Sequence, residues 1–436
     1  MRQFLTTLRR DGYFDFYSNL IEIEKYDARS KFDLQKILKG RPESLAEYWQ
    51  AEAMSLFIHE YTHFLDITST AWGLEFLLRK NNVSKSLGNP EAIEKYSPVF
   101  MLNLAEIDVH TKLLKIYSDK ELIACKTEHS AIYSEDYGSI IVVYFSDNNK
   151  KVIETPLSML SVLESNAYAS EILTKIRYLE AKGSADDMIF LEVEVNHYLN
   201  SAMFSEYSLL IILCRKHFEY LSLKECLIFF QALVSRVLNM SQINLSIISS
   251  FLKYTFKNKY VGNAICKDIQ RGMSRQVVIF KLILMLHQFI NEYENKVDLI
   301  KLMKTSPNKL LSIFFNDNSI SIQDSLDFGD FTEFTILLNI AAKDYLMPEH
   351  KILTESANHN HEVLKRANWG KLSLSDFRLI DCFLSDGGVI SAPTRIDFNV
   401  EDYFERNLDS LVQLEGVYKT AQVTKFHIHP NDVSYV

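Results

Sequence analysis

Chain breakers are scarce in this sequence. It holds 13 glycines and 8 prolines among 436 residues, where average usage would be roughly 7 % and 5 %. So few interruptions leave long stretches free to run as helix, and they argue against a sandwich, a propeller or a collagen-like chain. They also leave little room for long disordered linkers. With 47 % hydrophobic residues, the chain can bury a large core. The expected class is mainly α, more closely α+β, because one stretch carries strand patterning. At roughly 150 residues per domain the length is a prior for two or three domains.

Charge narrows the possible partners. The formal net charge is −9, and general nucleic-acid binding usually shows a basic footprint instead. One local exception is 253–275, where Lys253, Lys257, Lys259, Lys267, Arg271 and Arg275 face only Asp268. A solvated helix face explains such a run most simply. The five cysteines (125, 214, 226, 266 and 382) are scattered and form no Cys-x-x-Cys, which fits a reducing compartment better than a disulfide framework. The first ten residues lack the apolar stretch of a secretory signal. The most apolar windows, near 208–214 and 277–290, are shorter than the ~20 residues a membrane span needs. No membrane span is expected, and the cytoplasm is the expected location.

Local signals place the elements. Ser44 and Glu47 follow Pro42 as a capping box and predict a long helix over 44–66. Thr68, Ser69, Thr70 and Gly73 weaken that pattern, with a second helical piece over 74–80. A helix is expected at 101–117. Ser139–Phe145 and Lys151–Glu154 flank the polar run 146–150 and read as a β-hairpin. Thr155-Pro156 signals the start of a helix running to about 181. Gly183 and its neighbours break it, and helical patterns resume over 190–255 and 275–304. Beyond 305 the chain reads as mixed, with loops near 315–330, 355–362 and 385–395. The expected division is a first domain over 1–250 and a mostly helical accessory region over 251–436. Met and aromatic positions within 203–240 have helical spacing and read as core.

The chemistry concentrates in His59-Glu60-Tyr61-Thr62-His63, inside the first strong helix. Residues four apart leave a helix on one face, a turn from each other. Two imidazoles so placed can ligate one zinc ion at ~2.0–2.1 Å. Glu60 projects about 100° away from His59, beside the metal, where it can take a proton from metal-bound water. The neighbours Ile58, Phe64 and Leu65 are apolar, as for a helix buried beside a cleft.

The run His59-Glu-Tyr-Thr-His-Phe-Leu-Asp-Ile-Thr resembles the active-site helix of the zincin metallopeptidases, and of thermolysin in particular, which also has Thr before the second His and an Asp shortly after it. The positions that hold a Gly and a third His in metzincins are Asp66 and Ser69 here. A catalytic zinc needs a third protein ligand. Glu164 lies in Glu164-Ser-Asn-Ala167-Tyr168-Ala-Ser-Glu171, which is similar to the second gluzincin motif of the aminopeptidase N group, whose first Glu binds zinc. The small Ala167 and Ala169 would allow close helix approach. The spacing departs from the family: Glu164 lies 101 residues after His63, where relatives place it about 20 on, so an insertion holding the hairpin is implied. An edge strand beside the active-site helix is a common gluzincin feature, and that hairpin could supply it.

Other third ligands stay open. Asp66 shares the ligand face and suits better the part of an acceptor that orients a histidine. Glu75, Glu106 and Asp108 are further candidates. Tyr168, His197, Tyr198 and Tyr207 could stabilise an oxyanion. The pairs His359/His361 and His427/His429 read as polar loop or strand ends. No phosphate-binding glycine loop and no Gly-x-Ser-x-Gly occurs.

The sequence therefore predicts a zincin-like catalytic domain with a small sheet and a helical region after it. The expected function is a zinc-dependent metallopeptidase with metal ligands His59, His63 and Glu164, general base Glu60, cofactor Zn²⁺ and a protein or peptide substrate. The rivals are a helical interaction or scaffold protein with a structural or accidental motif, and a zinc hydrolase of non-peptide substrates.

Overall fold

The computed structural model describes residues 11–134, 138–256, 258–318, 320, 323–344, 347–366, 373–425 and 434–435. The first elements are β1 (Tyr13–Phe14), β2 (Ile21–Ile23), α1 (Lys31–Lys39), α2 (Tyr48–Thr68), α3 (Ala71–Ser86) and α4 (Pro90–Leu113). Then come β3 (Lys115–Ile116), β4 (Lys126–Ser134), β5 (Gly138–Asp147), β6 (Lys150–Pro156) and the long α5 (Met159–Lys182). Helices follow as α6 (Ala185–Asn200), α7 (Ser205–His217), α8 (Leu223–Leu238), α9 (Gln242–Leu252), α10 (Lys259–Gln270) and α11 (Arg275–Glu292). The remainder is α12 (Lys296–Thr305), α13 (Pro307–Asp317), α14 (Gln323–Asp344), α15 (Met347–Ile352), α16 (Asn358–Arg366), β7 (Cys382–Leu384), β8 (Val389–Ile390), α17 (Val400–Lys425) and β9 (Ser434–Tyr435). The described chain is mainly helical with two small sheets, in line with the α-rich expectation.

The residues group into two compact units. One comprises Met1–Met101, Ala167–Leu191 and Phe334–Gln422, the other Leu102–Asn166, Glu192–Glu333 and Val423–Val436. Both draw on chain from either side of residue 250, so a single cut there does not separate them. The physical reason is that helices such as α4, α5 and α14 run on through the break points.

In the first unit a four-stranded sheet has the order β1-β2-β7-β8. β1 pairs antiparallel with β2, and β2 pairs parallel with β7 through Glu22 opposite Phe383 and Ile23 opposite Leu384. β1 is the edge strand. The turn from β1 to β2 is closed by Asp15, whose carboxylate accepts from the Tyr17 amide at 2.9 Å and the Ser18 hydroxyl at 2.6 Å. The buried Lys80 ammonium donates to the Tyr17 carbonyl at 2.9 Å, tying that turn to α3. Between α2 and α3 the chain makes a tight elbow. A Cβ at Gly73 would lie 2.3 Å from the Asp66 carbonyl oxygen and 2.2 Å from that of Ile67, so only glycine fits there.

The helix expected over 44–66 is α2, shifted by a few residues. Pro42–Ser44 forms a short 3₁₀ turn of its own, and the capping box closes between Glu47 and Gln50 instead of Ser44 and Glu47. Fully buried Phe57, Phe64 and Ile67 anchor it, each contributing roughly 1.5–3 kcal/mol.

In the second unit the sheet order is β3-β6-β5-β4-β9, antiparallel throughout. Asn148 and Asn149 take φ of 47° and 63°, as a two-residue hairpin loop requires. Thr155 and Pro156 end β6 rather than open α5. Pro156 has no amide hydrogen to lose at a strand end, and Ser158 takes over the helix start, its hydroxyl accepting from the Ser161 amide at 3.3 Å. The loops expected near 315–330 and 355–362 are largely α13, α14 and α16. Among the described residues no single helix is long and apolar enough to cross a membrane.

Candidate metal centre

From His59 to Thr68 every residue of α2 is buried. A helix without a solvent face is ordinarily apolar all round. Here it carries His59, Glu60, Thr62, His63 and Asp66, none more than 8 % exposed. Removing such groups from water is costly unless they are partnered or bind a metal, so a polar stretch this deeply buried is one place to look for a site.

The two uncharged positions inside the motif anchor the helix. The Tyr61 hydroxyl donates to the Ile380 carbonyl at 2.8 Å, and the Cys382 thiol lies 3.1 Å from the Tyr61 oxygen. Thr62 donates back to the Ile58 carbonyl at 2.7 Å. At the end of α2, Thr70 accepts from the Gly73 amide and starts α3. The motif helix is thereby fixed to the segment that carries β7.

The histidines leave α2 one turn apart, with ring centroids 5.2 Å from each other. Glu164, in the second turn of α5 and 2 % exposed, joins them. One nitrogen of His59, one of His63 and one carboxylate oxygen of Glu164 all lie within 4.8 Å of one another. Donors with no separation above 4.8 Å can all lie within about 2.8 Å of one point, so shifts below ~1 Å reach the ~2.0–2.2 Å of zinc bonds. Two imidazoles and a carboxylate form a borderline-soft set suited to Zn²⁺, with a tetrahedral position left over for water. Among the described residues this is the group of histidine, cysteine and acidic side chains that could hold a metal.

Glu171, also on α5, completes the surroundings of His59. Its Oε2 is 3.3 Å from His59 Nδ1, and its Oε1 is 2.8 Å from the Lys175 ammonium. Burial pushes the Glu171 carboxyl upward, but Lys175 and the His59 hydrogen bond outweigh it and hold the pKa at about 2. A carboxylate accepting from Nδ1–H fixes the ring's tautomer and leaves Nε2 with the lone pair a metal needs. The sequence reading offered Asp66 for such a part and left Glu171 without one. Asp66 is buried on α2. The signal available was Glu171 seven residues after Glu164, two turns along the same face.

The remaining candidates lie elsewhere. Glu106 accepts from the Ser274 amide at 2.7 Å and hydroxyl at 3.2 Å, and so secures the start of α11. Glu75 is buried on α3, and the Asp108 side chain lies outside the described residues. His359 Nε2 sits 2.9 Å from the Asp376 carbonyl, while His361 Nδ1 is 3.1 Å from the Ser69 carbonyl and its ring stacks on Phe334 at 3.7 Å. Backbone carbonyls thus engage this pair, and His427 and His429 lie outside the described residues. Of the four oxyanion candidates, Tyr168 is buried on α5 four residues after Glu164, and His197 is exposed. Tyr198 stacks on Phe204 and packs edge-on against Tyr207.

Glu60 is 3 % exposed and lies against Gly12, just before β1. The rings of Phe14 and Phe16 approach His63, at centroid distances of 6.3 and 6.2 Å. The strand beside the motif helix in this unit is therefore β1. The arrangement holds three converging groups that could ligate a metal, with Glu60 next to His59 in the same helix and β1 near His63. No protein-family model, curated protein or solved structure matches this chain.

Proposed function

We propose that the chain is a zinc-dependent metallopeptidase of gluzincin type, with His59, His63 and Glu164 as metal ligands and Glu60 as general base. The observation that carries the reading is the buried convergence of three ligand atoms within 4.8 Å, next to an acidic side chain that the motif places off the ligand face. A zinc ion held there would polarise a substrate carbonyl and acidify a water molecule. Glu60 accepts the proton that this water loses as its oxygen bonds to the carbonyl carbon. It then delivers the proton to the departing amine as the C–N bond breaks. Glu171 keeps His59 in the metal-binding tautomer.

The test uses zinc-loaded wild type and Glu60→Gln with a proteome-derived peptide mixture, products being read by mass spectrometry. Gln keeps the shape of Glu but cannot take the proton, so turnover should fall at least ~10²–10⁴-fold with zinc content unchanged. Undiminished turnover in zinc-loaded Glu60→Gln removes Glu60 from the mechanism. A zinc-loaded wild type that cleaves no peptide removes the peptidase reading.

A further inference from the structure

We infer that Gly12 is a positioning residue for Glu60: a side chain at position 12 displaces the Glu60 carboxylate while leaving the metal ligands in place. The inference rests on the role given to Glu60 above. Gly12 is buried immediately before β1. A Cβ on its backbone would lie 3.1 Å from Ile23 Cδ1, 3.2 Å from the Glu22 carbonyl oxygen and 3.2 Å from Glu60 Oε1. All three are shorter than the ~3.5–4.0 Å of comfortable carbon contacts, so one neighbour must yield by a few tenths of an ångström.

The surroundings decide which one yields. The Glu22 carbonyl belongs to β2, which pairs with β1 on one side and β7 on the other. Ile23 is wholly buried in the core of its unit, where close packing resists displacement. β1 itself cannot simply lift away. Phe14 and Phe16 pack near His63 further along the chain, and the Tyr13 hydroxyl donates to Glu22 at 2.7 Å. Glu60 presents the far end of a side chain with three rotatable bonds, against a backbone carbonyl and a core methyl group in the other two contacts. A methyl group at position 12 therefore moves Oε1, the end of Glu60 that handles the proton. His59, His63 and Glu164 are not among the three atoms nearest to that Cβ. An error of 1 Å in a reacting group can cost ~10²-fold in rate, so tenths of an ångström predict about a tenfold loss in kcat for Gly12→Ala, and more for Gly12→Val.

The experiment compares wild type, Gly12→Ala, Glu60→Ala and the double variant in three measurements. The first is zinc affinity by chelator competition. The second is the melting temperature of the metal-free and zinc-loaded protein. The third is kcat and KM on the peptide mixture, for wild type and Gly12→Ala. Gly12→Ala should keep zinc affinity and KM within about twofold and lower kcat about tenfold. Its melting temperature should drop by about 3 °C, and by less than half of that where Glu60→Ala has removed the crowded oxygen. If Gly12→Ala folds only together with Glu60→Ala, the inference is supported. An equal drop in both backgrounds, or a loss cured by Ile23→Val, overturns it, because the strain then sits in the core. A wild type that cleaves nothing would end the peptidase reading, whereas the coupling between positions 12 and 60 is measured without any substrate.

Discussion

Helix α5 touches two buried polar clusters of opposite character. In one, Ser161 meets His110, whose Nδ1 lies 3.2 Å from the Ser161 hydroxyl and whose Nε2 lies 3.1 Å from the Ser205 hydroxyl, with Glu206 at 3.8 Å. There an imidazole and two hydroxyls can alternate as donors and acceptors, so the network closes on itself. In the other, Glu164 brings a carboxylate to two imidazoles, and one possible ligand atom from each lies within 4.8 Å of the others. One cluster has the composition of a hydrogen-bond network, and the other that of a cation site. Burial and polarity are common to both. What separates the two is chemistry: hydroxyls around an imidazole donate and accept, whereas a carboxylate beside two imidazoles is also a set of ligands for a cation.

Removing ligands should break that contrast most sharply. Wild type is expected to carry about one zinc per chain by elemental analysis, and His59→Ala/His63→Ala should carry less than about a tenth of that, because a catalytic zinc site rests on three protein ligands. Glu164→Ala should also lose affinity severely while helical content stays, since Ala is a good helix former. His110→Gln should leave stoichiometry unchanged. If Glu164→Ala keeps its zinc and Asp66→Asn loses it, the third ligand lies on α2 and the gluzincin reading fails.

A smaller effect is expected from the residue behind His59. Glu171→Gln should weaken zinc binding by roughly 10–100-fold, as for outer partners of metal-bound histidines. Chelator competition would reveal it. An unchanged dissociation constant would make the Glu171–Lys175 pair purely structural.

At neutral pH the hydrogen-bonded cluster should show no titration effect at all, and its pH dependence appears only in acid. Burial lowers the His110 pKa from 6.5 to about 4. The unfolded chain then binds a proton below pH 6.5 that the folded chain refuses until about pH 4. Its contribution to stability is whole above pH 6.5 and is lost progressively as the pH falls toward about 4. At 1.36 kcal/mol per pKa unit the loss is up to about 3 kcal/mol. Urea unfolding at pH 7 and near pH 4.5 should therefore show a shallower decline for His110→Gln than for wild type. Equal declines would show that His110 titrates normally.

How much of this was legible depended on how local each signal is. The motif helix and the Asn148–Asn149 hairpin announce themselves within a few residues, through i, i+4 spacing and turn chemistry. Glu164 could be picked out because a short Glu-x-x-Ala pattern resembles a known motif, although its distance from His63 argued against it. The sheet β1-β2-β7-β8 left no trace, because strands of two or three residues are too short to show a period of two, and β2 meets β7 across some 360 residues of chain. The Ser44–Glu47 box was misread because Pro42 closes its own turn first. The stretch near 315–330 read as loop, yet from Gln323 on it is helical as the start of α14. Glu171 was visible and went unused, since only a structure shows which ring it faces.

The pairing of β2 with β7 also sets an order in time. The motif helix is synthesised before the segment that fixes it: the Ile380 carbonyl that receives Tyr61 and the strand beside Ile23 come more than 300 residues later. At ~5–20 residues per second, that delay is some tens of seconds. Until then a growing chain carries His59, Glu60 and His63 without the wall against which they are aligned. A chain cut between α2 and residue 380 stays in that condition for good, so a segment some 300 residues away decides how firmly the motif helix is held.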